Sequence, residues 1–226
     1  MKCPALFLSR APALSLFILM ESALIANAGG QCIELRNGYF WDPAISNYWM
    51  PHGISYQVWN PPVFATQTFA QIDYELNEMK KMYVNSLRVE FTWGEVEKTE
   101  GAYNFTNTDY LVSRAEAMGL KLFVLIGYQY PPGWVSSQYP DRMARYYDSA
   151  SKTYGQSQIL NYNHPAAQGT YSNYIRAVCS RYKDSKAIAG WIIGNEFAFY
   201  DLWEANDPKR FVGFDTNYSI PSYRSW

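Results

Sequence analysis

Histidine is nearly absent from this chain: its two copies, His52 and His164, stand far apart. Cysteine is scarce as well, with Cys3, Cys32 and Cys179 the whole complement. None of these residues shows the short spacing of a metal-ligand set, so no metal centre is expected, and no cofactor motif is present. Charge of one sign is also missing. The 19 Lys and Arg nearly balance 20 Asp and Glu, for a net charge of -1. Nucleic acid and anionic membrane surfaces are therefore not expected partners.

Long apolar runs are lacking except at the start. Lys2 and Arg10 precede the run Ala11–Met20, and Ala26-Asn-Ala28 supplies small residues at alternate positions. That order is a secretory signal, too short and too soon interrupted by Glu21 to span a bilayer. Residues 1–28 are expected to be removed, leaving residues 29–226 as an exported, extracellular domain with no membrane attachment. Cys3 leaves with the signal, and Cys179 is expected as a buried free thiol ahead of a bridge to Cys32. Asn104-Phe-Thr and Asn217-Tyr-Ser are glycosylation sequons.

Aromatic residues are abundant: 18% of the chain, including 20 Tyr and 8 Trp. They fill cores, and their flat faces also stack on sugars. Apolar periodicity then shows one repeating organisation. His52–Trp59 reads as a strand. Phe69, Ile72, Leu76, Met79 and Tyr83 follow at helical spacing. Asn85–Trp93 is the second strand. A helix starting near Thr106–Asp109, where the spacing resembles a capping box, carries Leu111, Ala115 and Met118 and stops at a left-handed Gly119. Lys121–Tyr128 is the third strand. A long connection rich in Tyr, Ser and Pro leads to a helix that aligns Tyr171, Tyr174, Ile175, Val178, Cys179 and Tyr182. Ala187–Asn195, apolar and glycine-flanked, reads as a fully buried fourth strand closing at Glu196.

Strict alternation of strand and helix predicts an α/β fold with a parallel sheet. No glycine-rich loop follows the first strand, which leaves a dinucleotide-binding sheet unsupported. A (β/α)8 TIM barrel typically takes about 250 residues. The alternation stops after four units, with Tyr218–Trp226 beginning one more helix, so the expectation is the first four βα units of a truncated barrel.

In such folds ligands bind at the C-terminal ends of the strands. Arg88 and Glu90 share parity on the second strand and would face the barrel interior, either as an ion pair or as part of a site. Trp134, in the proline-stiffened loop after the third strand, would reach the rim as a sugar platform or pack beneath the loop. Trp93 carries the same ambiguity. The most pointed signal is Asn195-Glu196: a carboxyl group at a semi-apolar strand end holds its proton more readily, as a general acid must. The adjacent amide would hold a substrate hydroxyl.

These residues resemble glycoside hydrolase clan A, and most closely the family 42 β-galactosidases. The matching pieces are Leu87-Arg-Val-Glu90, Trp93 with Glu97–Phe105, Pro131–Val135 with Tyr139-Pro-Asp141, Gly190–Glu196, and the closing Ser222–Trp226. The resemblance implies a carbohydrate substrate and a retaining mechanism with Glu196 as general acid/base. It places Asn195 and Arg88 in the substrate-binding shell. The family's nucleophile, a second Glu at the end of a seventh strand, matches none of Asp201, Glu204, Asp207 or Asp215. The spacing after Arg88 departs from the family 42 pattern and keeps the family 5 endo-glycanases as an alternative. A non-catalytic carbohydrate-binding remnant is the other.

Overall fold

The computed structural model describes residues 33–43, 45–56, 68–126, 131–148, 151–194 and 210–212. The chain divides into two compact units. The first comprises Met1–Phe91, Phe105–Ile126 and Cys179–Ile193, and the second Thr92–Asn104, Gly127–Val178 and Gly194–Trp226.

The first unit opens with an antiparallel meander, β1 (Glu34–Arg36), β2 (Tyr39–Asp42) and β3 (Asn47–Tyr48). The turn from β1 to β2 is Asn37-Gly38, with φ of 52° and 82°. Positive φ at both positions suits the right-handed twist of a two-residue hairpin, and Asn followed by Gly tolerates it best. The parallel sheet comes next, in the order β4 (Gly53–Tyr56), β5 (Ser86–Glu90), β6 (Lys121–Leu125), β9 (Ile188–Ile192). Every pairing in it is parallel. Helix α1 (Phe69–Lys81) joins β4 to β5, and α3 (Thr106–Met118) joins β5 to β6. Strict alternation is thus present in the expected order.

Helix α1 starts where its first amides find acceptors. Thr68 Oγ1 accepts from Gln71 N–H at 3.2 Å, and Gln71 Oε1 accepts from Thr68 N–H at 2.8 Å. This reciprocal box contributes about 1 kcal/mol. The box expected near Thr106–Asp109 is corrected: Phe105 is the N-cap of α3 and no side chain caps it. The Thr108 hydroxyl instead donates back to Phe105 O at 3.1 Å. Gly119 ends α3 at φ 65°, as its position predicts. Ile72 and Leu76 from α1, Leu111 and Ala115 from α3, Leu87 and Val89 from β5, and Leu122 and Val124 from β6 form a core with each residue at most 1% exposed. Each leucine or isoleucine buried this way contributes roughly 1.5–3 kcal/mol.

Strand β9 departs from expectation, since all five of its residues are half-buried. Among the described residues it is an edge of the sheet, hydrogen-bonded only to β6. Among the described residues, that flank of β9 has no paired strand. The meander docks onto the same sheet, where Trp49 stacks on Phe123 at 6.1 Å and the buried Asp42 carboxylate meets Lys121 Nζ at 3.3 Å.

The second unit holds α2 (Trp93–Val96), α4 (Gly133–Gln138), a 3-10 turn at Pro140–Arg142, and an antiparallel sheet. That sheet has the order β10 (Arg210–Val212), β7 (Met143–Asp148), β8 (Thr153–Leu160). A hairpin therefore occupies much of what reads in sequence as a long connection. Helix α5 (Pro165–Tyr182) runs through both units. Tyr171, Tyr174, Ile175, Val178 and Tyr182 are buried along it as their spacing predicts. Cys179 is a free, half-buried thiol, and burial pushes it up to about 11, which keeps it unreactive.

Two helix ends of the first unit are clasped by ions. Arg181 Nε donates to Asp109 Oδ1 at 2.6 Å, Arg181 Nη2 reaches Oδ2, and the Tyr182 hydroxyl donates to Oδ1 at 2.8 Å. The Arg181 hydrogen bond holds the Asp109 carboxyl below its usual range, against the opposing effect of partial burial. A depressed carboxylate contributes stability that is present above its unfolded pKa of about 3.9 and lost as pH falls through the folded value. Melting temperature should therefore drop on acidification below about pH 4. Asp109→Asn should melt lower at pH 7 and show a flatter acid limb. A variant with the parent's acid limb would show that the clasp contributes nothing.

Candidate active site

The parallel register sets out the C-terminal edge of the sheet row by row. Ser55, Arg88, Phe123 and Gly190 form one row, and Glu90, Leu125 and Ile192 form the next. Arg88 and Glu90 thus share a face, as their parity predicts. Arg88 is half-buried, its Nη1 3.5 Å from Ser55 Oγ, and Glu90 is 5% exposed. Gly190 lets the Phe123 ring approach closely, since a Cβ there would lie 3.4 Å from Phe123 Cδ1. Asn195 and Glu196 lie outside the described residues. They follow Ile192 by three and four positions in the sequence.

The second unit carries a different kind of constellation. Glu97 is 3% exposed, and its carboxylate accepts from the Trp93 indole N–H at 2.6 Å and from Gly101 N–H at 2.7 Å. Tyr103 also hydrogen-bonds Glu97, and burial first, then the Glu97 charge, push its phenol up. The Glu97 carbonyl accepts from the Trp134 indole N–H at 2.9 Å. Trp93, 1% exposed, stacks on Tyr174 at 5.3 Å and meets Trp134 edge-on at 6.2 Å.

This geometry decides the two ambiguous tryptophans. A sugar platform needs an open ring face, yet Trp134 is 8% exposed and Trp93 less. The platform expectation for Trp134 is corrected: both rings are packing elements of the second unit, and their polar N–H groups are satisfied internally. Glu97, quoted in sequence only as part of a matching motif, is the group that organises them. A carboxylate four residues after a tryptophan is the signal available in sequence, but its second partner, Gly101, lies in a turn whose closure sequence does not show.

Among the described residues no group of three or more His, Cys, Asp and Glu side chains could hold a metal ion. Also among them, no helix is long and apolar enough to cross a membrane. His164 is buried and structural. Its Nδ1 accepts from Ala166 N–H at 3.1 Å at the start of α5, and its Nε2 lies 3.4 Å from Asp141.

Comparison with known proteins bears on this arrangement. The chain is 24% identical over 128 residues to the β-galactosidase BgaH of Haloferax lucentense, which covers 56% of this chain and 19% of that protein. It is 34% identical over 96 residues to the mannan endo-1,4-β-mannosidase F of Aspergillus fumigatus, covering 42% of this chain and 19% of that one. Among solved structures, the family 42 β-galactosidase Gan42B of G. stearothermophilus superposes with a TM-score of 0.54 at 19% identity, over 64% of this chain and 21% of that chain. That likeness is one of fold. The chain spans about a fifth of the length of the curated relatives it matches. The sequence profile of glycoside hydrolase family 42, described as β-galactosidase, matches residues 61–217, and the chain belongs to that family.

Proposed function

We propose that this protein is an exported retaining glycoside hydrolase of β-galactosidase type, in which Glu196 is the general acid/base and Asn195 and Arg88 hold the substrate. The observation that carries this reading is the register. Arg88 and Glu90 stand on one face of a parallel sheet, and β9 leads from that sheet's C-terminal edge into Asn195-Glu196. The four parallel strands are, in this reading, the first half of an eight-stranded barrel, and residues 1–28 are the export signal.

The chemistry follows from the two-carboxylate requirement of glycoside hydrolysis. Glu196 gives its proton to the glycosidic oxygen as the bond from that oxygen to the sugar's anomeric carbon breaks. A second carboxylate attacks that carbon from the opposite face. Glu196, now ionised, takes a proton from the water that releases the sugar. No residue of the chain is assigned the attacking role. Arg88 would fix a substrate hydroxyl or keep a neighbouring carboxylate ionised. Trp134 acts only by packing.

The likeness to a mannan endo-1,4-β-mannosidase favours a second reading, hydrolysis of β-mannosides. Initial rates on nitrophenyl β-galactoside and β-mannoside, measured with the full-length protein, separate the two. At least a tenfold higher kcat/KM on the galactoside is expected, about 1.4 kcal/mol in transition-state binding. The opposite ratio moves the protein to the mannosidase reading.

A further inference from the structure

Helix α4 and strand β8 of the second unit border a cavity of about 430 Å³. Its polar lining is Ser136, Gln156, Ser157 and Gln158, and Pro131 and Met143 supply apolar wall. We propose that this cavity is a secondary saccharide subsite, built from residues other than Arg88, Asn195 and Glu196, that takes one neutral, hydroxyl-rich sugar unit.

The volume falls within the roughly 300–1,000 Å³ of small-molecule sites. Among the described residues no ionisable side chain lines it, so a phosphate, carboxylate or ammonium group would meet no counter-charge from them, which is unfavourable. Two neighbouring charges are engaged elsewhere: the Arg142 guanidinium lies over the Tyr139 ring and donates to Thr170 Oγ1 at 2.6 Å, and Asp141 faces His164, while Arg145 lies 5.7 Å from the Tyr154 ring. What the lining does offer is amide and hydroxyl groups that both donate and accept, the pairing that sugar hydroxyls need. Ser157 is 2% exposed and accepts from Ile159 N–H at 3.2 Å, which leaves its O–H as a donor. Gln156 and Gln158, on either side of it in β8, are both exposed. Gln156 stands opposite Arg145 of β7 and Leu160 opposite Met143, with a register shift between the two pairs that takes in Ser157 and Gln158. Pro131 and Met143 match the C–H face of a pyranose. Its identity as a sugar site rests on the proposed function, whereas the preference for a neutral polyol rests on the lining alone.

The test uses the full-length protein with isotopically labelled methionine methyl groups, the Met143 signal being assigned with Met143→Leu. Titration with galactose and with β-1,4-galactobiose should shift the Met143 methyl saturably, while inorganic phosphate leaves it in place. Gln156→Ala with Gln158→Ala, both at exposed positions, should weaken that response about tenfold or more. Glu196→Gln should lower turnover of alkyl β-galactosides about a hundredfold or more and leave the Met143 response intact. A Met143 methyl that stays fixed up to about 0.1 M sugar, an affinity of only about 1.4 kcal/mol, or that answers phosphate instead, overturns the proposal. A protein that shows the shift but turns over no glycoside loses the proposed function and keeps the subsite.

Discussion

Glutamine in place of Glu196 is expected to lower kcat on alkyl β-galactosides between about a hundred- and ten-thousand-fold, the range a positioned general acid contributes. Glutamine preserves shape and neutral hydrogen bonding but cannot deliver a proton. The loss should therefore depend on the leaving group. An alkoxide leaves poorly unless it is protonated as the bond breaks, whereas a dinitrophenolate needs no proton. The first bond-breaking step on a dinitrophenyl substrate should fall far less than on an alkyl one. A variant that keeps the parent's rate on the alkyl substrate would remove Glu196 from the acid role. A uniform loss across leaving groups would make it a binding residue.

The second large effect concerns stability. Glu97→Gln should destabilise the protein by roughly 2–4 kcal/mol, read as a lower urea midpoint and a changed tryptophan signal in near-ultraviolet circular dichroism. The reason lies in donor and acceptor counting. The Glu97 side chain meets the Trp93 N–H and the Gly101 N–H, one on each oxygen, and Tyr103 is a third hydrogen-bonding partner. A carboxylate only accepts, whereas an amide turns two N–H donors toward at least one of these N–H groups. Trp93 is 1% exposed, so water cannot replace a lost acceptor. Glutamine should thus rescue little relative to alanine. A loss below about 0.5 kcal/mol for Glu97→Gln would show that Trp93 finds another acceptor.

The elements legible in sequence are those whose signal is local. Ile72 and Leu76, Leu111 and Ala115, and the α5 stripe from Tyr171 to Tyr182 repeat at helical spacing because a helix has one core-facing side. Leu87 and Val89 alternate with Arg88 and Glu90 because a strand has two faces. Gly119 ends α3 because a left-handed residue without a Cβ is unstrained there. Two further elements also carry local signals. Asn37-Gly38 between Leu35-Arg36 and Tyr39-Phe40 is a hairpin turn, and Thr68 with Gln71 is the reciprocal cap. The β7–β8 hairpin was harder, since its strands are polar and tyrosine-rich and its turn places Lys152 at φ 55° without a glycine.

The sequence by itself determined the order of helices and strands, the parallel character of the main sheet and membership of glycoside hydrolase family 42, because each rests on short-range periodicity or on runs of matching residues. Only the tertiary structure decided what its aromatic residues do. Trp93 and Trp134 look alike in sequence whether they face a sugar or a core. Trp93 packs against Tyr171 and Tyr174, 78 and 81 positions further along the chain, and donates to a Glu97 carboxylate held by a turn, while Trp134 donates to the Glu97 carbonyl and meets Trp93 edge-on. The half-burial of β9 was decided the same way, by which strands lie beside it rather than by its own apolar composition.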